Sequence, residues 1–469
     1  MNDMPFVHLM KSPYCYYVFD VNTNSIVRVS KELYEYLLNE QQGRNPLSTV
    51  EIEREKTSLM EKGYLKTKHP KEIDNPNIDD MEYLFTHHLR QLVLQVTQQC
   101  NFRCSYCPYT VGDDYVQRGH SANRMDWETA KAAIDFFADR TRDVPSPAIS
   151  FYGGEPLLEK DLIIRCVEYC KKRFAGKNLI FSMTTNASLL TEELARYFLK
   201  SHFKLMISLD GPPEIHDRNR RIASNGEGSF RAVYDTVMSL AEKIPGFLSC
   251  IDFNAVVDPQ NDISKVNRFF SNQLSQANHI RAGLVDPPPG TTLYFSPEYQ
   301  QKQKTQELLA MLAVEGYVDP QKLPLIAKNE YEQIKDNINK MSPHMQLPDR
   351  MMHGGPCIPG YRKLFVTTTG TLLPCEKCSE TSEEMNIGNL NDGFDFENIK
   401  KLMNGGNRVE QDCKDCWAIE NCDICGVKVD GIHDPRELRR ICRSSRLNFE
   451  HRLNQIIALR EMEEGGLSE

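Results

Sequence analysis

Fifteen cysteines stand in a chain of 469 residues, and eleven of them fall into two groups whose spacing can do chemistry. Cys100, Cys104 and Cys107 form a C-x3-C-x2-C run directly after the apolar stretch Leu92–Thr97. Thiolates are metal ligands, and three at this spacing can hold three irons of a 4Fe–4S cluster, which normally takes four cysteines. A missing fourth ligand leaves one iron open to a small chelating molecule, so the run predicts catalysis rather than electron storage. The competing reading is a three-cysteine zinc site completed by a distant histidine, although zinc-binding cysteines usually come as C-x2-C pairs.

The second group is C-terminal: Cys357, Cys375 and Cys378, then Cys413-x2-Cys416-x5-Cys422-x2-Cys425, then Cys442. Eight thiols suffice for two fully ligated clusters, and the C-x2-C pairs also fit a pair of zinc knuckles. The other four cysteines read as structural: Cys15, Cys250, and the pair Cys166 and Cys170 on one helical face with Ile163 and Val167. An odd total cannot close entirely into internal disulfides, and the chain is far longer than scaffolds that need such staples. Reduced thiols and a cytoplasmic location are expected.

The elements that must position these groups follow from patterning. Hydrophobic residues make up 40% and charged residues 26%, enough to bury a substantial core. The length matches about three domains at ~150 residues each. With 56 Lys+Arg against 65 Asp+Glu, the net charge of −9 argues against non-specific nucleic-acid binding. No positively charged start followed by an apolar run opens the sequence, and no apolar stretch approaches the roughly 20 residues that span a bilayer. Neither a membrane nor a nucleic acid is expected as a partner.

Residues 1–65 read as a small independent unit, with a hairpin of Tyr16–Val21 and Ile26–Val29 around Asn22-Thr23-Asn24-Ser25, then helices after Ser30 and Thr49, the latter ending before Gly63. That outline is winged-helix-like, and residues 66–80 have linker composition. Apolar runs Leu92–Thr97, Ala148–Tyr152, Leu179–Thr184, Lys204–Leu209, Ile251–Val256 and Ile280–Val285 alternate with helical patterns at Trp127–Thr141, Asp161–Phe174, Thr191–Lys200 and Ser229–Lys243. Such alternation predicts an α/β fold with a parallel sheet built from right-handed units. Six units are too few for a closed eight-unit barrel, so the expectation is an open, partial (β/α)6 barrel. Residues 295–350 look helical, the last 110 or so look turn-rich with little periodicity, and a frayed tail is expected from Glu461 to Glu469.

Cys100-Asn-Phe-Arg-Cys104-Ser-Tyr-Cys107, including Tyr106 before the third cysteine, resembles the defining motif of radical S-adenosylmethionine (SAM) enzymes. Gly153-Gly154-Glu155-Pro156, one strand later, resembles the motif that holds the amino group of SAM. Residues without Cβ let the backbone approach a ligand, and carbonyls with Glu155 can accept from an ammonium. Thr184-Thr185-Asn186 and Ser208-Leu-Asp210-Gly211 end the next strands where the family places polar contacts to SAM, and His216, Asp217 and Arg220 follow in a similar "HD..R" stretch. The resemblance implies that the open iron chelates SAM, whose reductive cleavage gives a 5′-deoxyadenosyl radical that takes hydrogen from an unreactive C–H bond. The solvated-loop reading of His216, Asp217 and Arg220 stands beside it.

The C-terminal spacing, Cys357-x12-Gly370-x4-Cys375 and onward, is similar to the SPASM extension of radical SAM enzymes, which carries two auxiliary 4Fe–4S clusters. The resemblance assigns Cys413, Cys416, Cys422 and Cys442 to a distal cluster, and Cys357, Cys375 and Cys425 to a nearer one. Cys378 is an additional cysteine and the candidate fourth ligand; without it, the nearer cluster keeps an open iron for a substrate thiolate. The family's last internal spacing is usually x3, whereas Cys422 and Cys425 are separated by two residues. Glu376 sits where related sulfatase-maturing enzymes carry an acidic base; a solvated loop glutamate is the other reading. Arg436, Arg439, Arg440 and Arg443 share a helical face that is either solvated surface or a contact for a charged substrate.

A winged-helix-like unit ahead of such a core resembles the recognition element of enzymes that modify ribosomally made peptides, which captures the leader of a precursor peptide by β-augmentation. The organisation implied is a recognition element at 1–80, a radical SAM partial barrel at 81–330, and a bridging region with the SPASM domain at 331–469. The implied activity is a peptide maturase of sactipeptide or ranthipeptide type, joining a cysteine sulfur of a Cys-rich precursor to a carbon. Its cofactors would be SAM and three 4Fe–4S clusters, and its electron donor a flavodoxin or ferredoxin. Carbon–carbon crosslinking, epimerisation or formylglycine formation on the same core is the alternative. A zinc-containing winged-helix DNA-binding regulator is the reading from another class.

Overall fold

Period-two alternation builds the first layer. The structure, a computed structural model, describes residues 4–107, 109, 119–285, 293–355 and 357–464. β1 (Val7–Lys11), β2 (Tyr16–Asp20) and β3 (Ser25–Val29) pair antiparallel in that order. α1 (Lys31–Gln41) and α2 (Val50–Glu61) follow, capped by the side chains of Ser30 and Thr49. Successive strand residues point to opposite faces. Val18 therefore packs with Val7, Val29, Leu33, Leu37 and Ile52 beneath the two helices. Tyr17 and Phe19 point the other way and join Phe449, Leu453, Ile456 and Ile457 from the far end of the chain. The sheet is covered on both faces, so residues 1–65 are not an independent unit.

The expected linker is tied down as well. Glu72–Ile73 pairs in parallel with Arg350–Met351, and the Arg350 guanidinium lies 2.5 Å from carboxylate oxygens of both Asp74 and Asp79.

The apolar runs become β4 (Gln91–Thr97), β5 (Ala148–Gly153), β6 (Ile180–Thr185), β7 (Phe203–Ser208), β8 (Ile251–Val257) and β9 (His279–Leu284). They are parallel and adjacent in sequence order. The crossovers carry α3 (Trp127–Asp139), α4 (Lys160–Arg173), α5 (Glu192–Lys200), α6 (Phe230–Lys243) and α7 (Ile263–Gln273). Their apolar faces complete one large core, with Ile134, Phe137, Ile163, Phe198, Val233, Val237 and Phe270 buried against the strands. The sheet does not close. Beyond β4 it gains β10 (Leu364–Val366), parallel to β4, and β11 (Leu372–Leu373), antiparallel to β10. Both come from the cysteine-rich tail, which the sequence pattern left outside the barrel.

Two helices, α8 (Pro297–Val314) and α9 (Leu325–Lys340), occupy the region expected to be helical. The tail differs more. Its last part is α10 (Pro435–Glu464), 30 residues long, with Leu438, Phe449, Leu453, Ile456 and Ile457 buried. The expected fraying from Glu461 does not occur within the described residues. Glu461 accepts from the hydroxyls of Ser12 (2.5 Å) and Tyr17 (2.9 Å), and Glu464 pairs with Arg28 at 2.9 Å. Residues 465–469 lie outside the described residues. Among those described, no helix is long and apolar enough to cross a membrane.

Candidate active site and cysteine centres

The first cysteine run lies at the carboxyl ends of the parallel strands, where loops can converge on a ligand. Cys100 follows β4, and Phe102–Cys104 pairs antiparallel with Arg220–Ile222. The Cys107 N–H donates to the Cys104 carbonyl at 3.1 Å, folding the three thiols onto one loop. Burial pushes the Cys100 thiol up to about 12 and Cys104 up to about 11, with neighbouring cysteines adding to both. Such thiols do not ionise alone at neutral pH; a bound cation is what would hold them as thiolates.

The loops beside them are locked to one another by a buried polar network. A Cβ on Gly153, whose φ is +150°, would meet the Thr97 carbonyl oxygen at 2.2 Å. One on Gly154 would meet the Gln99 carbonyl oxygen at 2.2 Å and the Cys100 Cβ at 3.0 Å. The glycines thus admit the protein's own cysteine loop, and the Glu155 N–H donates to that Gln99 carbonyl at 2.8 Å. The Glu155 carboxylate is buried and accepts from the Leu157 N–H (3.0 Å), the Thr185 hydroxyl (2.6 Å) and the Asn186 N–H (2.7 Å). Burial raises its pKa while those donors pull it back. Pro156 is buried and opens a short 3₁₀ turn. The Asn186 amide reaches the Asn101 side chain at 2.9 Å, closing the loop of contacts onto the cysteine run. Ser208 is buried at the end of β7.

A buried cation completes this site. Arg220 Nε donates to Asp210 Oδ2 at 3.0 Å, and its Nη1 lies 3.9 Å from Cys104 Sγ. The Tyr106 hydroxyl donates to the same Asp210 oxygen, and Oδ1 accepts from the Val256 N–H at 3.0 Å. Both oxygens of Asp210 are therefore engaged within the protein, where they hold the cysteine loop against β7. His216 bridges the Asp210 N–H (3.3 Å) and the Ser229 hydroxyl (3.0 Å), and burial lowers its pKa to about 4, so the ring is neutral.

The C-terminal thiols fall into two neighbouring sets. Cys413, Cys416, Cys422 and Cys442 lie within electrostatic reach of one another, and burial first, then these neighbours, pushes Cys413 up to about 12. They line a largely enclosed, apolar cavity of about 60 Å³ together with His353, Cys425 and Ser445. That is several times the ~10–15 Å³ one water needs, so the hollow has room for a larger group. The Ser445 hydroxyl donates to Cys422 Sγ at 3.6 Å. In the other set, Cys357 senses Cys375 and Cys425. Cys378 is fully buried with its sulfur 4.0 Å from that of Cys375, and their hydrogen bond lowers Cys375 to about 7. Cβ atoms on Gly354 and Gly355 would meet the carbonyl oxygens of Glu420 and Ile424 at 2.0 and 1.9 Å. The chain leading to Cys357 can thus lie directly on the loop bearing Cys422 and Cys425.

Among the described residues, no group of three or more His, Cys, Asp or Glu side chains converges on a single metal ion. Cluster thiolates stand apart, each on its own iron, so this bears on single-ion sites alone. Glu376 is paired with Lys363 at 2.5 Å. Sequence reasoning missed the residues joining the near set to the first site. The Gln95 amide donates to Glu380, as does that of Gln98 at 2.7 Å, and the Thr368 N–H donates to Gln95 at 3.0 Å. Gln95 inside the apolar run of β4 was the readable signal.

With this geometry in hand, the chain can be set beside known proteins. Residues 94–266 match the family described as the radical SAM superfamily, and the α/β sheet is that of the radical SAM fold. That family implies SAM and a 4Fe–4S cluster as the cofactors of this domain. An uncharacterized protein of Methanocaldococcus jannaschii is 36% identical over 129 residues, 28% of this chain and 41% of that one. A cysteine-type anaerobic sulfatase-maturating enzyme of Clostridium novyi is 27% identical over 191 residues, 39% of this chain and 48% of its own. This chain thus spans less than half the length of these curated relatives. The solved structure described as native anSMEcpe with bound AdoMet and Cp18Cys peptide superposes with a TM-score of 0.58 at 19% identity, covering 79% of this chain and 99% of that one.

Proposed function

We propose that this chain is a radical SAM peptide maturase that joins a cysteine sulfur of a ribosomally made, Cys-rich precursor to a carbon of another residue. The observation that carries the reading is the gathering of eight thiols into two adjacent sets behind a three-thiol loop. Cys100, Cys104 and Cys107 would hold the SAM-binding cluster, leaving one iron for SAM. Cys413, Cys416, Cys422 and Cys442 would hold a distal cluster, and Cys357, Cys375, Cys378 and Cys425 a nearer one. When bound, the first cluster and SAM supply a radical able to take hydrogen from an unreactive C–H bond.

The chain's own residues do the positioning. Glu155 ties the Gly153-Gly154 loop to Thr185 and Asn186, and this loop would hold the ammonium end of SAM. Arg220 sets a positive charge beside Cys104, and Tyr106 and Asp210 hold that arginine in place. Ser208, buried at the end of β7, would add a polar contact to SAM. Glu376 would act as a base only after leaving Lys363. Residues 1–80 would bind the precursor's leader as an added strand at an edge of the β1–β3 sheet, with 81–330 as the radical SAM core and 331–469 as the cluster-bearing region. The solved neighbour anSMEcpe carries a bound Cp18Cys peptide, which supports a peptide substrate.

Formylglycine formation is the second reading. Cys378, 4.0 Å from Cys375, gives the nearer set four thiols and leaves no iron open for a substrate thiolate. Co-expression with a short Cys-rich peptide encoded beside the gene separates the two. A thioether predicts loss of two hydrogens and one thiol blocked from alkylation. Formylglycine predicts an aldehyde that reacts with hydrazides. An unchanged peptide contradicts both.

A further inference from the structure

Five arginines stand against one glutamate between Pro435 and Arg446, in a chain whose net charge is −9. They occupy the opening turns of α10, where the helix dipole adds to their positive potential. Arg439 and Arg446, at i−3 and i+4, flank Cys442 on one helical face. Arg436, Arg440 and Arg443 carry the strip outward, with Arg436 87% and Arg440 75% exposed. The pairs Arg436–Asp434, Arg439–Asp412 and Arg440–Glu437 are solvent-facing, and such pairs hold weakly. Among the described residues, Arg443 and Arg446 have no ion-pair partner. Arg446 borders both the cavity of the distal thiols and an adjoining surface recess lined by Gln411, Asp412, Asp415, Cys416 and Trp417, where Asp412 is already paired with Arg439. Cys416 and Cys442, both half-buried, are the thiols this recess and strip approach.

We propose that the Arg436–Arg446 strip is the docking surface for a small acidic protein that carries single electrons, and that the distal thiol set is where its electron enters. The inference rests on the reading of Cys413, Cys416, Cys422 and Cys442 as cluster ligands. The occupant follows from charge. An acidic carrier is repelled by this chain's overall charge and drawn to a place where an arginine strip meets the distal thiol set, and complementary potentials both steer and orient such encounters. The reduced carrier loses one electron and the thiol-held centre gains it; no proton or group moves.

The test compares wild type with Arg440→Glu/Arg443→Glu in the fully reconstituted enzyme, using flavodoxin as the probe. Neither residue lines the cavity of the distal thiols. Titration calorimetry at low salt should show flavodoxin affinity falling about tenfold, with a shallower salt dependence, while Arg440→Lys/Arg443→Lys retains binding. SAM cleavage driven by flavodoxin and its reductase should fall in parallel, and cleavage driven by dithionite should not change. Unchanged flavodoxin affinity overturns the proposal. So does an equal fall in the dithionite-driven rate, or weaker binding of the precursor peptide in place of flavodoxin. Wild-type enzyme inactive with dithionite would defeat the functional reading, while the binding arm still decides the surface.

Discussion

Arg220 shows what single residues contribute here. Its guanidinium is buried between Asp210 and Cys104, so removing it strands a buried carboxylate. Arg220→Met should cost about 3–5 kcal/mol in chemical denaturation and disturb the cluster's paramagnetic resonance spectrum. Arg220→Lys keeps the charge without the fork and should restore part of both. Gly154→Ala forces a Cβ to 2.2 Å from a carbonyl oxygen and should abolish SAM cleavage. His216 gives a pH signature. Its folded pKa of about 4 lies below the ordinary 6.5, so the unfolded chain binds more protons between those values. Stability is then lost as pH falls through that window, by about 3 kcal/mol, and a His216→Asn variant should flatten the curve in pH-dependent melting. At this scale the cysteines were legible because spacing alone specifies them. The engagement of Asp210 was not, since Arg220, Tyr106 and Val256 meet it only once β7 and β8 pair.

Elements were legible in proportion to length and burial. The six parallel strands match their apolar runs to within a residue or so; the inner ones, covered on both faces, read as hydrophobic stretches, while β9, at the sheet edge, is largely exposed. β1, β10 and β11 escaped notice, being 5, 3 and 2 residues long. The arginine-rich start of α10 reads as helical in the sequence but its 30-residue length does not, because its apolar stripe makes sense only against the second face of the N-terminal sheet. The unbroken run Tyr17-Val18-Phe19 carried that message already, since a one-sided sheet would alternate. Phe449 stacks on Trp417 at 5.6 Å and meets Phe19 edge-on at 5.2 Å. Phe449→Ala should cost about 3–5 kcal/mol by urea denaturation and loosen the N-terminal sheet in hydrogen exchange. A loss below 1 kcal/mol would mean that this aromatic contact does not hold the sheet in place.

For the whole molecule, chain ends matter more than the sequence pattern conveyed. The N-terminal sheet packs on the C-terminal helix and on Cys413, Ala418 and Ile419 beside the distal thiols. The barrel sheet borrows β10 from beyond residue 330. A leader held on residues 1–80 would therefore sit on the same body as the cysteine centres. Anaerobically purified protein should contain about twelve irons per chain if three 4Fe–4S clusters form. Iron chelation should lower the melting temperature, because ligand binding and folding are coupled.

The central claim is that Cys100, Cys104 and Cys107 form a site that cleaves SAM. The direct measurement is 5′-deoxyadenosine released by reconstituted enzyme under dithionite, followed by chromatography with mass detection. Wild type should release it, and Cys104→Ala, with its C-terminal thiols intact, should release none. Release undiminished in Cys104→Ala, or absent from iron-loaded wild type, would contradict the account.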